Sequence, residues 1–154
     1  MVNLYKMLSF DEGIKHNAYL DTKGILTVGI GHNLIADPAH DILRRDIKLG
    51  DLITANEIEC LFNRDLRTVT SGLHTNIHNF EQLKDKYKVI LVNMCFNMGI
   101  NRLINFKNTI ACMQADNVTG VINGLLGSAY ASQLPGRAKR MSLLAQGTIP
   151  KEYV

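Results

Sequence analysis

Strand-favouring residues are confined to one short part of this chain. Of all the features of the sequence, this one most restricts the folds that the chain can adopt. β-branched and aromatic residues gather between 18 and 36, around the turn signal DTKG at 21–24. After Pro38 the apolar residues recur mainly at helical spacing. The sequence therefore predicts a mostly helical α+β fold with a small antiparallel hairpin, to which a third strand could be added near 33–36.

Helical patterns lie on both sides of the strand region. Residues 3–11 predict a short amphipathic helix that Gly13 ends. The sequence TANE at 54–57 is a capping box that opens a long helix running towards Leu73. Apolar periodicity predicts further helices at 81–98, 102–115 and 117–126, and a last one after the LPG of 134–136 that runs to about residue 146.

These elements divide into two lobes within one domain. A chain of 154 residues has the size of a single domain. We expect one domain over 1–154, with a small lobe at about 13–60 and a larger helical lobe made of 1–12 and 74–154. The helix at about 54–74 would join them, and a cleft between two lobes is a common place for a ligand.

Composition narrows the class of protein. The formal net charge of +3 suits an anionic polymer or surface without identifying it. Lysine and arginine are scattered rather than striped, which argues against a nucleic-acid-binding protein. The most apolar stretch, 89–98, is too short to span a bilayer, and the N-terminus lacks the pattern of a signal peptide. Cys60, Cys95 and Cys112 lack paired spacing and predict buried free thiols made in a reducing compartment.

Two acidic residues stand where their surroundings would separate their protonation states. Glu12 lies at the C-terminal end of the first predicted helix, where the helix dipole and partial burial favour the protonated acid. Asp21 lies at the mouth of the turn, where solvent and backbone amides favour the carboxylate. Such a pair is the acid/base arrangement of glycoside hydrolysis. The neighbouring Asp11 is expected to be solvated surface charge.

Thr27 lies six residues after Asp21, on the other side of the turn. If the hairpin loop holds an odd number of residues, for example 23–25, Thr27 lies directly opposite Asp21 on one face of the hairpin. Its hydroxyl could then help Asp21 to hold a water molecule.

Glu12, Asp21 and Thr27, followed by GIGH at 29–32, resemble the catalytic triad of the phage-type lysozymes, the endolysins with which tailed phages break peptidoglycan. Four further blocks resemble the same family and occur in its order: LFNRDL (61–66), NMCFNMG (93–99), FKNTI (106–110) and LPGRAKR (134–140). The resemblance therefore covers essentially the whole chain and implies a lysozyme-like fold.

The resemblance also implies a role for each matched residue. Glu12 would be the general acid on the glycosidic oxygen, Asp21 the base that activates water, and Thr27 the residue that positions that water. The family inverts the configuration at the anomeric carbon, which requires the carboxylates to stand roughly 6.5–9.5 Å apart. Positions matching saccharide contacts are Asn33, Phe96, Asn97, Thr109 and Asn123.

Three supporting residues follow from the same resemblance. Arg137 matches an arginine that the family keeps near its catalytic glutamate. His32 and Asp65 also match family positions, and we expect them to form an ion pair between strand and helix. That expectation requires the imidazole to lie within about 6 Å of the carboxylate.

The activity that the resemblance implies is a muramidase that hydrolyses the β-1,4 bond between N-acetylmuramic acid and N-acetylglucosamine and lyses the host at the end of infection. Its partner would be the glycan strands of peptidoglycan, reached through a holin lesion. We expect a monomer with no cofactor, no metal, no nucleic acid and no membrane insertion, made in the host cytoplasm and acting on the wall in the periplasm. A non-hydrolytic peptidoglycan-binding module and a lytic transglycosylase remain as alternatives.

The chain departs from the family at several positions outside the triad. It has no tryptophan, and Ala129 stands where the family usually has one. Asn97 replaces a longer glutamine, and Asn33 stands where a leucine is common. These departures bear on saccharide contacts and on the helical core.

Overall fold

The computed structural model describes residues 1–154 and confirms the predicted mostly helical α+β class. Nine helices form, namely α1 Leu4–Glu12, α2 His40–Leu43, α3 Ala55–Asn76, α4 Asp85–Met98, α5 Ile100–Leu103, α6 Lys107–Gln114, α7 Val118–Leu126, α8 Ala129–Gln133 and α9 Pro135–Ala145. Strands β1 Lys15–Leu20, β2 Leu26–Gly29 and β3 His32–Asn33 form one antiparallel sheet in that order. None of the helices is both long and apolar enough to cross a bilayer.

The chain divides into two compact units. The sheet unit comprises Leu8–Thr68, and the helical unit comprises Met1–Met7 and Val69–Val154. One boundary falls within α1 and the other within α3. The core of the helical unit is built largely on α4, whose Tyr87, Ile90 and Leu91 are fully buried.

The turn between β1 and β2 corrects the predicted register. Thr27 pairs with Tyr19, and Leu20 pairs with Leu26, so the prediction that Thr27 lies directly opposite Asp21 is wrong. The amide of Asp21 instead donates to the carbonyl of Ile25 at 3.0 Å. The loop is therefore the three residues 22–24, and its centre lies one residue earlier than predicted.

The side chain of Asp21 explains the position of this turn. Its Oδ1 accepts hydrogen bonds from the amides of Lys23 at 2.8 Å and Ile25 at 2.9 Å. Gly24 takes a φ of +78°, which a side chain would strain, and donates its amide to the Asp21 carbonyl at 2.9 Å. An aspartate that caps its own turn fixes the strand pairing on either side.

The start of α3 confirms the predicted capping box. The amide of Glu57 donates to Thr54 Oγ1 at 3.1 Å, and the amide of Thr54 donates to Glu57 Oε1 at 3.0 Å. Arg45 also binds the Glu57 carboxylate at 2.7 Å, and this hydrogen bond holds the pKa of Glu57 at about 2. The helix runs to Asn76, slightly beyond the predicted end.

Two other helix predictions are wrong in part. The helix expected at 102–115 is broken, because residues 104–106 form a turn in which the Phe106 amide donates to the Leu103 carbonyl at 2.9 Å. The Phe106 ring packs edge-on against Tyr130 with centroids 6.4 Å apart, a tertiary contact that the local pattern does not contain. The last helix begins at Pro135 within the LPG signal, and α8 before it was not predicted.

The region after Pro38 is also less helical than predicted. Between α2 and α3 the chain runs beside β1, where the Ala18 amide donates to the Asp51 carbonyl at 2.8 Å and the Ile53 amide to the His16 carbonyl at 2.7 Å. These bonds use the outer edge of β1. The segment therefore takes its conformation from the sheet rather than from its own helical pattern.

The three cysteines are free, but they are not all buried as predicted. Cys95 is buried in α4, and burial raises the pKa of its thiol to about 11. Cys112 is partly exposed, and Cys60 is exposed on α3. The buried face of α3 holds Ile58 and Leu61, which leaves Cys60 on the solvent side.

Two glycines set the packing of α6 against α7. Gly120 and Gly124 lie four residues apart, on one face of α7. A Cβ on Gly120 would lie 2.5 Å from Cys112 Sγ, and one on Gly124 would lie 2.1 Å from Thr109 Oγ1. A side chain at either position would therefore force the Cys112 or Thr109 side chain to move.

Substitution Gly124→Ala is expected to lower the free energy of unfolding by about 1–3 kcal/mol, the cost of overpacking a close contact. Thr109 Oγ1 can rotate away, but Thr109 Cβ would remain 3.1 Å from the new methyl group. Urea denaturation measures the effect. The control is Gly136→Ala in α9, where a Cβ would meet only Arg140 Nη1, at 3.3 Å. Equal stability of the two variants would contradict this account of the helix contact.

Candidate active site

The predicted site residues fall in both units. Those in the sheet unit are Glu12, Asp21, Thr27, His32, Asn33 and Asp65, and those in the helical unit are Phe96, Asn97, Thr109, Asn123 and Arg137.

Glu12 is placed by the end of α1. The helix stops there because Gly13 takes a φ of +78°, with its amide donating to the Ser9 carbonyl at 2.9 Å. Glu12 is half-buried. The turn between β2 and β3 passes beside it, since a Cβ on Gly31 would lie 3.4 Å from Glu12 Oε2. A helix end and a glycine turn thus hold this carboxyl group on two sides.

Asp21 presents its two carboxylate oxygens to different surroundings. Oδ1 accepts the two turn amides of Lys23 and Ile25. No protein group donates a hydrogen bond to Oδ2. One oxygen therefore fixes the side chain, and the other can accept a proton or a hydrogen bond from a bound molecule.

Thr27 is buried in β2, with only 4% of its surface exposed. Its hydroxyl donates to the Ile25 carbonyl at 2.8 Å. Because that bond uses the hydroxyl proton, the lone pairs of Oγ1 are left to accept a hydrogen bond. Thr27 is thus set to receive a proton donor rather than to supply one.

Tyr19 belongs to the same face of the hairpin, although the sequence analysis missed it. It is the cross-strand partner of Thr27 and lies two residues before Asp21, so the three share one side of the strands. Burial raises the pKa of Tyr19, and the charges of Glu12 and Asp21 raise it further. The alternation of side chains along β1 could have revealed Tyr19 from the sequence, because it lies two residues before Asp21.

The predicted contact between His32 and Asp65 is confirmed. His32 Nδ1 lies 2.7 Å from Asp65 Oδ2, and His32 Nε2 lies 2.8 Å from the carbonyl oxygen of Asp37. Burial lowers the pKa of His32, but the bonds to Asp65 and Asp37 and their charges outweigh it, so the pKa is raised overall. Because a carboxylate and a carbonyl oxygen can only accept, both ring nitrogens donate when the imidazole is protonated, and this pairing favours the cation.

This cluster has the composition of a metal site, which the sequence analysis did not anticipate. Ligand atoms of His32, Asp37 and Asp65 lie within 4.8 Å of one another. An imidazolium that donates from both nitrogens has no lone pair for a metal, however. Arg64 also binds the Asp37 carboxylate at 3.1 Å and pairs with Asp41. The arrangement favours an ion-pair network that ties β3 to α3.

Asn33 is partly committed to its own backbone. Its Oδ1 accepts hydrogen bonds from the amides of Ile35 and Ala36, each at 2.9 Å. The oxygen therefore holds the turn that follows β3. Only the Nδ2 group remains to contact a saccharide, and this role stays a prediction.

Two neighbouring depressions in the helical unit hold three of the predicted saccharide contacts. Thr109 and Asn123 line one of about 260 Å³. Asn97 lines another of about 240 Å³, together with Ala129, where the family usually has tryptophan. The two depressions are contiguous, because Asn105 and Phe106 line both of them.

Two further predicted residues of the helical unit lie outside those depressions. Phe96 is half-buried on α4, and Arg137 is buried on α9 with 4% of its surface exposed. Their roles at the saccharide and beside the catalytic glutamate stay predictions.

A small three-stranded antiparallel sheet in a mostly helical chain matches a lysozyme-like α+β fold. Residues 10–141 match the family model described as phage lysozyme, and the chain belongs to that family. Its family is one of lysozyme-like proteins that act on peptidoglycan.

Individual relatives agree with this assignment. The chain is 30% identical to "Probable T4-type lysozyme 1" of Dictyostelium discoideum, with 93% of this chain and 94% of that protein covered. It is 31% identical to "Probable T4-type lysozyme 2" of the same organism, with 98% of each covered. It is also 28% identical to the "Pre-baseplate central spike protein Gp5" of Enterobacteria phage T4, where 93% of this chain matches 27% of the longer protein.

Proposed function

We propose that this protein is a muramidase that hydrolyses the β-1,4 bond between N-acetylmuramic acid and N-acetylglucosamine, with inversion at the anomeric carbon. Family membership supports the substrate class. The observation that carries the proposed bond specificity and inversion is the hydrogen bonding of Asp21 and Thr27. Asp21 has a carboxylate oxygen that receives no protein hydrogen bond, and Thr27 has a hydroxyl whose proton is already donated.

Glu12 is the general acid in this mechanism. The C-terminal end of α1 carries partial negative charge, which disfavours a second negative charge on the side chain. The half-buried carboxyl group gives its proton to the glycosidic oxygen as the bond to the anomeric carbon breaks. The leaving sugar then departs as a neutral alcohol.

Asp21 is the general base, and Thr27 orients the nucleophile. A water molecule between them donates one hydrogen to Asp21 Oδ2 and the other to Thr27 Oγ1, which leaves an oxygen lone pair for the anomeric carbon. As the new C–O bond forms, the water proton passes to Asp21. Attack on the face opposite the leaving group inverts the configuration. Solvent then returns a proton to Glu12 and removes one from Asp21.

Polar side chains within each unit are available for hydrogen bonds to a saccharide. Thr109 and Asn123 offer a hydroxyl and a carboxamide from one depression, and Asn97 offers a carboxamide from the next. Asn33 offers its Nδ2 group. The formal charge of +3 favours approach to an anionic wall, an attraction that weakens as salt is added.

The biological role that we infer is lysis of the host at the end of phage infection. The protein would be made in the host cytoplasm and would reach the periplasmic wall through a holin lesion, acting as a monomer without a cofactor. These proposals extend the family assignment and rest on the muramidase activity.

Digestion of purified sacculi, followed by mass spectrometry of the soluble products, tests the proposed chemistry. We expect fragments with reducing N-acetylmuramic acid ends, and proton NMR in the first minutes should show the α-anomer before mutarotation. Anhydro-muramic ends would instead establish a lytic transglycosylase. Binding to sacculi with no new ends would establish a non-hydrolytic module.

A further inference from the structure

We propose that Tyr19 is a substrate-binding residue of the same site, whose hydroxyl donates a hydrogen bond to the sugar between Glu12 and Asp21. This inference rests on the proposed muramidase function. It adds a fourth side chain to the acid, the base and the water-positioning threonine.

The sheet register places Tyr19 among those groups. It is paired with Thr27 across β1 and β2, and Leu20 is paired with Leu26 on the opposite face. Side chains alternate along a strand, so Tyr19 and Asp21 project to the same side. The charge of Glu12 also raises the pKa of the Tyr19 phenol, so the acid at the end of α1 lies near that side chain.

The ring of Tyr19 has a contact within the protein, whereas its hydroxyl has no hydrogen-bond partner there. Lys15 Nζ lies 6.0 Å from the ring centroid, within reach of a cation–π contact. The residue is half-buried, and no protein group forms a hydrogen bond with its Oη. The hydroxyl is therefore available to form a hydrogen bond with a bound molecule.

The Tyr19 phenol is a hydrogen-bond donor at neutral pH, because its pKa is raised from an ordinary value of 10.0 that already lies well above neutrality. Burial and the carboxylates of Glu12 and Asp21 all oppose loss of its proton, whereas Lys15 on the same strand faces the ring. A neutral phenol beside two acidic side chains offers an O–H to acceptors on the substrate. The hydroxyl, ring and acetamido oxygens of an amino sugar are such acceptors.

The test compares wild type, Tyr19→Phe and the control Tyr5→Phe. Tyr5 lies on α1, is 41% exposed and belongs to the helical unit, so the same loss of a hydroxyl should leave activity within twofold. Rates of reducing-end release from soluble glycan strands give kcat/KM across pH. Calorimetry with the same strands gives Kd for Glu12→Gln with and without Tyr19→Phe.

We expect Tyr19→Phe to lower kcat/KM about tenfold and to weaken Kd by a similar factor, near the upper end for one neutral hydrogen bond. The limbs of the pH–rate profile and the unfolding midpoint should not move. Unchanged kcat/KM and Kd beside an active wild type would overturn the Tyr19 inference alone. Shifted limbs with an unchanged Kd would also overturn it, because Tyr19 would then act through the carboxylates. A wild type that releases no ends would overturn both proposals.

Discussion

Substitution Glu12→Gln is expected to lower kcat for release of reducing ends by roughly 10²–10⁴-fold, the range for loss of a general acid. The carboxamide has nearly the same shape, so α1 and the glycine turn beside it should keep their conformation. It has no proton to give to the glycosidic oxygen, and the leaving sugar must depart as an alkoxide. KM should change little, because the lost interaction develops only in the transition state. Initial rates on purified sacculi measure the effect.

Asp11→Asn is the matched control for that variant. Asp11 precedes Glu12 in α1, is also half-buried, and loses the same single charge on substitution. The variant should keep kcat within about twofold, a difference of roughly 0.4 kcal/mol in activation free energy. If Asp11→Asn lost as much activity as Glu12→Gln, charge at the helix end would matter more than the identity of the acid. Retention of more than a tenth of wild-type activity by Glu12→Gln would exclude it as the general acid.

The parts of the fold that the sequence predicted correctly depend on local chemistry. Thr54 and Glu57 cap each other's backbone within one turn, and Gly13 ends α1 through its own positive φ. Each signal involves residues a few positions apart, so no tertiary information was needed to interpret it.

The errors fall where a distant or competing contact decides the conformation. The hairpin register was misplaced because Asp21 caps its own turn, a side-chain choice that strand periodicity does not reveal. The break at 104–106 accompanies the packing of Phe106 on Tyr130, which lies in another helix. Residues between α2 and α3 pair with β1 rather than follow their helical pattern.

The candidate site shows the same division. Local physics made Glu12 and Asp21 possible as an acid and a base, and the resemblance singled them out from the chain's other carboxylates. The resemblance also predicted the contact between His32 and Asp65, which lie 33 positions apart in the sequence and which no local pattern connects. Tyr19 was missed because its role depends on the strand register, the very feature that was misassigned.

The second large effect is expected at the ion pair of His32 and Asp65. Substitution Asp65→Asn should lower the free energy of unfolding by about 2–3 kcal/mol below pH 6.5. Removing one partner of a buried ion pair costs roughly 3–5 kcal/mol, and the lower figure reflects the 26% exposure of the Asp65 side chain against 3% for His32. The asparagine would leave the buried imidazolium without its nearer carboxylate, and only Asp37 Oδ2, 4.0 Å from Nε2, would remain as a charge partner.

The pH dependence follows from the direction of the His32 shift. Its pKa in the folded protein is raised above the ordinary histidine value of 6.5, so the native state holds the proton more tightly than the unfolded chain does. The stabilisation is therefore fully present below pH 6.5 and is lost as pH rises through the folded pKa. Urea titrations from pH 5.5 to about 9 should show the difference between wild type and Asp65→Asn shrinking as pH rises.

Asp46→Asn provides the surface counterpart for that experiment. Asp46 also binds a histidine, with Oδ1 2.8 Å from His40 Nε2, but its side chain is 85% exposed and that of His40 is 62% exposed. Solvent screens such a pair, and its loss should leave the unfolding free energy unchanged at every pH. The geometry of the two pairs is nearly the same, at 2.7 and 2.8 Å, so burial is the main variable between them. Equal losses in the two variants, or a loss in Asp65→Asn that grows towards pH 9, would show that the buried imidazolium does not stabilise this fold.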